Sequence, residues 1–160
     1  MYLPCNSKHR KSLMPVITLV FLCFVSFPLA GQTQEEIDSD LGIVIGSFSR
    51  YGRRNDIYRV RPLLEKGANP NGIYDNNEGK TYLMEVLHKY SENANDLQFQ
   101  VADMLLEYGA DLYAKDKFGR NVAYYINSPT SFNYLVSKGF RFDITDNDGL
   151  SPCYVSYNRS

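Results

Sequence analysis

The chain has no tryptophan, and beyond residue 31 it holds one histidine, His88, and one cysteine, Cys153. Each scarcity excludes something. A lone cysteine cannot close a disulfide within that stretch, so the fold must be held by packing. One histidine cannot build a His-rich zinc site. A glycine-rich phosphate loop is also missing. The stretch "DITDNDG", Asp143 to Gly149, has the composition of a calcium loop but not its spacing. An EF-hand would need an oxygen ligand at Ile144 and a glutamate at Val155. Its aspartates read instead as turn formers. No catalytic, cofactor or metal site is expected.

Acidic residues are absent from the first 31 positions, which carry Lys8, Arg10 and Lys11. The apolar run "LMPVITLVFLCFVSFPLA", Leu13 to Ala30, follows and ends at Gly31. A basic flank, an apolar core and a small-residue end describe a secretory signal peptide. An uncleaved anchor is the alternative, because 18 mostly apolar residues nearly span a bilayer. Pro15 and Pro28 interrupt the run and favour cleavage. Cys23 follows Leu22, where a lipoprotein would want a small residue. Either way the remainder is expected outside the cytoplasm. Without those three cations the formal net charge moves from −1 to −4, which argues against nucleic acid as the partner.

What the chain does have is one phrase written three times: "LLEKGANPNGIYDNNEGKT" from Leu63, "LLEYGADLYAKDKFGRN" from Leu105 and "LVSKGFRFDITDNDGLS" from Leu135. Each begins on apolar residues three and four apart, which share a helical face. They are Ile57, Val60, Leu63 and Leu64, then Val101, Ala102, Met104, Leu105 and Leu106, then Phe132, Leu135 and Val136. Gly67, Gly109 and Gly139 follow, where a helix stops in the left-handed conformation. A polar turn ends at Gly79, Gly119 or Gly149, and Thr81, Asn121 or Ser151 then caps the next helix. An opening helix from Asp38 to Ser49 precedes the first copy, with Gly42 and Gly46 suited to close helix packing. Pro62 is expected to delay or bend its helix.

This unit resembles the ankyrin repeat, a β-turn with two antiparallel helices and a period near 33 residues. The resemblance covers residues 37–157 and implies an all-α solenoid of about three repeats behind a signal peptide. Its segments would be 1–31 for the leader and 32–160 for the domain. The repeats would be 37–72, 73–114 and 115–144, with a closing half-repeat over 145–157. The chain departs from the family where Thr-Pro-Leu-His is usual, having Thr81-Tyr82-Leu83-Met84, Asn121-Val122-Ala123-Tyr124 and Ser151-Pro152-Cys153-Tyr154. Glycine spacing is also uneven, 40 residues from Gly79 to Gly119 and 30 from Gly119 to Gly149. An insertion near Ser91 to Phe99 accounts for the long interval, and compression near Asn127-Ser128-Pro129 for the short one. The repeat register places Cys153 on a buried leucine position, so it reads as structural rather than as a nucleophile paired with His88.

Beyond residue 31 there are twelve tyrosines. The resemblance places Tyr74, Lys117 and Phe118 on hairpin tips, and Glu85, His88, Arg120 and Tyr125 on or beside the concave face, as partner-binding residues. Tyr82, Tyr124 and Tyr154 read as packing. Arg53, Arg54 and Arg59, in a basic cluster with Arg50, Arg61 and Lys66, form an electrostatic docking face for an acidic partner or an anionic membrane. The resemblance implies a protein-binding module; no enzyme is expected from the residues, and a monomer is expected when the chain is free. The leader adds a bacterial periplasmic setting. An immunity protein that blocks a secreted toxin fits these features, and so does a resident envelope scaffold or stress-protection factor. The membrane would be a partner only if the leader is retained.

Overall fold

The computed structural model describes residues 31–88 and 97–153. The leader reading, most of the Ser91–Phe99 insertion and Tyr154 fall outside the described residues.

Helix α1 (Gln34–Tyr51) starts in a capping box. Thr33 Oγ1 accepts the Glu36 N–H at 3.2 Å, and Glu36 returns a bond to the Thr33 N–H at 2.8 Å. The helix begins four residues before the sequence suggests and buries Ile37, Leu41, Val44, Ile45 and Phe48. Helix α2 (Arg54–Glu65) packs Ile57, Val60, Leu63 and Leu64 on it. Pro62 neither delays nor ends α2, which runs through it with the proline on the exposed side. Strands β1 (Ile73–Asp75) and β2 (Lys80–Thr81) make an antiparallel pair. Helix α3 (Tyr82–His88), helix α4 (Leu97–Glu107) and helix α5 (Pro129–Ser137) follow, with one 3-10 turn at Val122–Tyr124 before α5.

Three helix ends are built alike. At Gly109, with φ of +92°, the Gly109 N–H reaches the Leu106 carbonyl at 3.0 Å, and the Ala110 N–H reaches Leu105 at 2.9 Å. Bonds of the same pattern join Gly67 and Ala68 to Leu64 and Leu63, and Gly139 and Phe140 to Val136 and Leu135. Each is a Schellman stop, which satisfies helix carbonyls that would otherwise face no donor.

The all-α solenoid of three repeats is not what the structure shows. Among the described residues there are five α-helices and a two-stranded antiparallel sheet, and the third unit lacks a first helix. The reason is length. Asn121 caps a turn of three residues, and Ser128 already caps α5 with Pro129 at its start, so no room remains for a helix between them. The third apolar face is also incomplete: Leu135 is fully buried, but Phe132 and Val136 are 44% and 51% exposed. Cys153 is exposed as well, not buried in a leucine position. Gly42 and Gly46 do lie at close contacts, though with aromatic rings. A Cβ at Gly42 would stand 2.8 Å from the Tyr82 hydroxyl, and one at Gly46 would stand 3.2 Å from the Tyr74 ring. Tyr82 and Tyr124 are core residues, as their positions suggest.

Candidate protein-binding surface

The polar turns after the three helix stops are held by aspartates. In the second turn Asp116 Oδ1 accepts the N–H groups of Phe118 and Arg120, both at 2.8 Å, while the Asp116 N–H donates to the Arg120 carbonyl at 2.8 Å. The third turn repeats this with Asp146, which accepts from Asp148 at 3.0 Å and Leu150 at 2.9 Å. These aspartates are turn formers, since short carboxylates capture nearby N–H groups. The first turn is one residue longer. There the Gly79 N–H donates to the Asp75 carbonyl, and the extra residue gives the β1–β2 pairing its irregular register.

Backbone bonds then join turn to turn. The Lys117 N–H donates to the Glu78 carbonyl at 3.0 Å, and the Asn147 N–H donates to the Phe118 carbonyl at 2.9 Å. A second line of bonds runs behind the helix stops. Asp38 accepts the Asn69 N–H at 2.7 Å, Asn71 accepts the Asp111 N–H at 2.7 Å, and the Tyr113 hydroxyl accepts the Arg141 N–H at 3.0 Å. The two ladders stack the turns into one ridge.

Phe118 stands at the tip of the middle turn, 45% exposed, with the Arg120 guanidinium 4.8 Å over its ring. Lys117, beside it, extends its ammonium to the Asn76 carbonyl of the neighbouring turn. Arg120 also faces Asp146 of the third turn. Its Nε lies 3.8 Å from Asp146 Oδ2, and both atoms are buried without a hydrogen-bond partner among the described residues. Sequence reasoning thus brings together three of its residues, Lys117, Phe118 and Arg120. It missed Glu78 and Lys80, which form an ion pair at 2.9 Å on the adjoining turn. Their positions, one before and one after Gly79, match those of Phe118 and Arg120 around Gly119, and that spacing was the available signal.

Four other expected contacts lie elsewhere. Tyr125 is no surface anchor. It is 3% exposed, and its hydroxyl donates to Asp116 Oδ2, so the 3-10 turn that replaces a helix draws the ring inward. Burial first, and then the bond to Asp116, push its hydroxyl pKa above the ordinary tyrosine value. His88 is half-buried against it, edge-on at 5.6 Å between ring centres, with Nδ1 2.9 Å from the Tyr125 carbonyl oxygen. Tyr74 is half-buried in β1, its ring against α1 rather than at a tip. Glu85 is half-buried and accepts a hydrogen bond from the Ser49 hydroxyl of α1.

The arginines lie at the surface. Arg53, Arg54 and Arg59 are exposed, and Arg53 lies 4.6 Å over the exposed Tyr51 ring, with Arg50 at 5.9 Å. Arg61 is engaged by Glu107 of α4 at 2.9 Å. Hydrogen bonding to Arg61 lowers the Glu107 pKa. Among the described residues no group of three or more potential metal ligands occurs, and no helix is long and apolar enough to cross a membrane. No protein-family model matches the chain.

Proposed function

We propose that the chain is a protein-binding module whose partner docks on the ridge of stacked turns, with Phe118 as the anchor. The carrying observation is Phe118 itself. An aromatic ring stands on a polar turn that Asp116 already fixes, and Arg120 stacks on it. Packing of the core gains little from a ring placed there, whereas Phe with Arg is a common composition of interface centres. Lys117, Glu78 and Lys80 supply a charged rim. Kinship with ankyrin proteins belongs to this proposal at the level of the local unit, the glycine stop and Asp-held turn, without the three-repeat architecture.

The leader-like first 31 residues extend the proposal to a compartment and a task, a periplasmic inhibitor of a secreted toxin. The test is capture of partners by the tagged chain from envelope material mixed with material from competing cells. Each captured protein is then titrated against the parent and Phe118→Ala. A secreted enzyme that is silenced by the parent, and bound at least five-fold more weakly by Phe118→Ala, supports the inhibitor. A resident envelope protein bound in the same way would mean a scaffold. Equal binding by parent and variant would remove the ridge.

A further inference from the structure

The outer face of α1 carries a stripe that reads alike from both ends. Glu36, Ser39, Ile43, Ser47 and Arg50 are spaced three, four, four and three apart, so they lie along one side of the helix. Ile43, at the middle, is 62% exposed, while the opposite side of α1 is packed into the core. Charge is divided about that midpoint. Glu35, Glu36, Asp38 and Asp40 occupy the first half of the helix with no cation. Arg50, Arg53 and Arg54 occupy its end and the start of α2 with no anion before Asp56. The order suits the helix dipole. The dipole gives no reason for a bare isoleucine at the centre.

We propose that this face pairs with the same face of a second copy, antiparallel, about a twofold axis through Ile43. Such an interface is self-complementary. Ile43 meets Ile43, and Glu36 meets Arg50 of the second copy, twice over. Ser39 comes beside Ser47 of the second copy, which is half-buried with its hydroxyl donated to Asp56 of its own α2 at 2.9 Å. The short side chains between let the helix axes approach to an ordinary packing distance. Glu36 keeps an oxygen for this pairing, because its capping bond to Thr33 uses Oε2. The inference is independent of the Phe118 ridge and replaces the free monomer expected from the sequence.

The test is sedimentation of the full chain across a concentration series at low salt. The weight-average mass should climb toward twice the single-chain value and fall back near 1 M salt, where surface charges are screened. Ile43→Asp should hold the single-chain mass with an unchanged circular dichroism spectrum. Glu36→Lys and Arg50→Glu should each also hold the single-chain mass alone, because each sets like charges together. Mixed in equal amounts, those two variants should associate again, since both cross-pairs become opposite in sign. A parent that stays at single-chain mass throughout overturns the proposal. So does association that survives Ile43→Asp, or a variant mixture that stays apart while the parent associates.

Discussion

The Tyr125 hydroxyl donates to Asp116 Oδ2 while Asp116 Oδ1 holds the two N–H groups of the middle turn. One buried carboxylate therefore ties the ridge to the core. Tyr125→Phe removes the donor and leaves a buried oxygen unsatisfied. It should cost about 1–3 kcal/mol in urea unfolding. Asp116→Ala should cost more, because it also frees two backbone donors. If both variants unfold at the parent's midpoint, this link carries no stability.

Gly119 and Gly149 have almost the same backbone, with φ of +76° and +75°, but different neighbours. A Cβ on Gly119 would lie 2.9 Å from the backbone nitrogen of Asn147, whereas one on Gly149 meets nothing within 4 Å. Both alanine variants bear the cost of a left-handed side chain, about 1 kcal/mol. Only Gly119→Ala must also part the second turn from the third. Thermal melts should rank Gly119→Ala clearly below Gly149→Ala, and equal melting would mean that the turns do not stack as described.

Leu105 is fully buried in α4. Leu105→Ala should lower stability by about 2–5 kcal/mol through lost contacts and the cavity left behind. Val136→Ala, on the exposed side of α5, should change it by less than about 0.5 kcal/mol. Denaturant titration of the pair checks the burial pattern directly.

Alkali should weaken the fold through Tyr125 and Tyr134. Burial is the main cause raising both hydroxyl pKa values above 10.0, helped by bonds to Asp116 and Asp103. The folded state thus favours the neutral ring. Its contribution is complete below the unfolded value near 10 and is lost as pH rises past it. Urea midpoints at about pH 8 and about pH 11 should fall less between the two conditions in Tyr134→Phe than in the parent. An equal fall in both would show that Tyr134 ionises as freely when folded as when unfolded.

The ridge makes a separate claim on binding. Phe118→Ala should weaken a captured partner by roughly 1–3 kcal/mol while leaving the melting temperature nearly unchanged. Calorimetric titration beside a thermal melt separates the two effects. A large drop in melting temperature would make Phe118 a structural residue.

The parts legible in the sequence are those decided within a few residues. The glycine stops at 67, 109 and 139 depend only on a helix ending beside a residue that accepts positive φ, and all three form as read. The Asp146 turn is similarly local. What sequence reasoning lost was set by distance along the chain. Compression near Asn127-Ser128-Pro129 was legible, but not that it would reduce the preceding helix to the 3-10 turn Val122–Tyr124, because that depends on where Ser128 and Pro129 start α5. Once the helix is gone, Tyr125 turns inward, and the side chain expected on the surface becomes part of the core. Phe118 was legible for the opposite reason. Its exposure comes from the turn that carries it, which four residues specify.

Tyr82 is wedged where two backbones lack side chains. A Cβ at Gly72 would come within 2.3 Å of its ring, and one at Gly42 within 2.8 Å of its hydroxyl. Residues 42, 72 and 82 are therefore a single hereditary unit, although 30 and 10 positions separate them along the chain. A lineage that enlarges either glycine must first, or at once, trim the tyrosine. A lineage that trims the tyrosine opens a void that either glycine can then fill. Descendants of this chain should show the three sites drifting in concert, small-small-large giving way to combinations of the same total bulk.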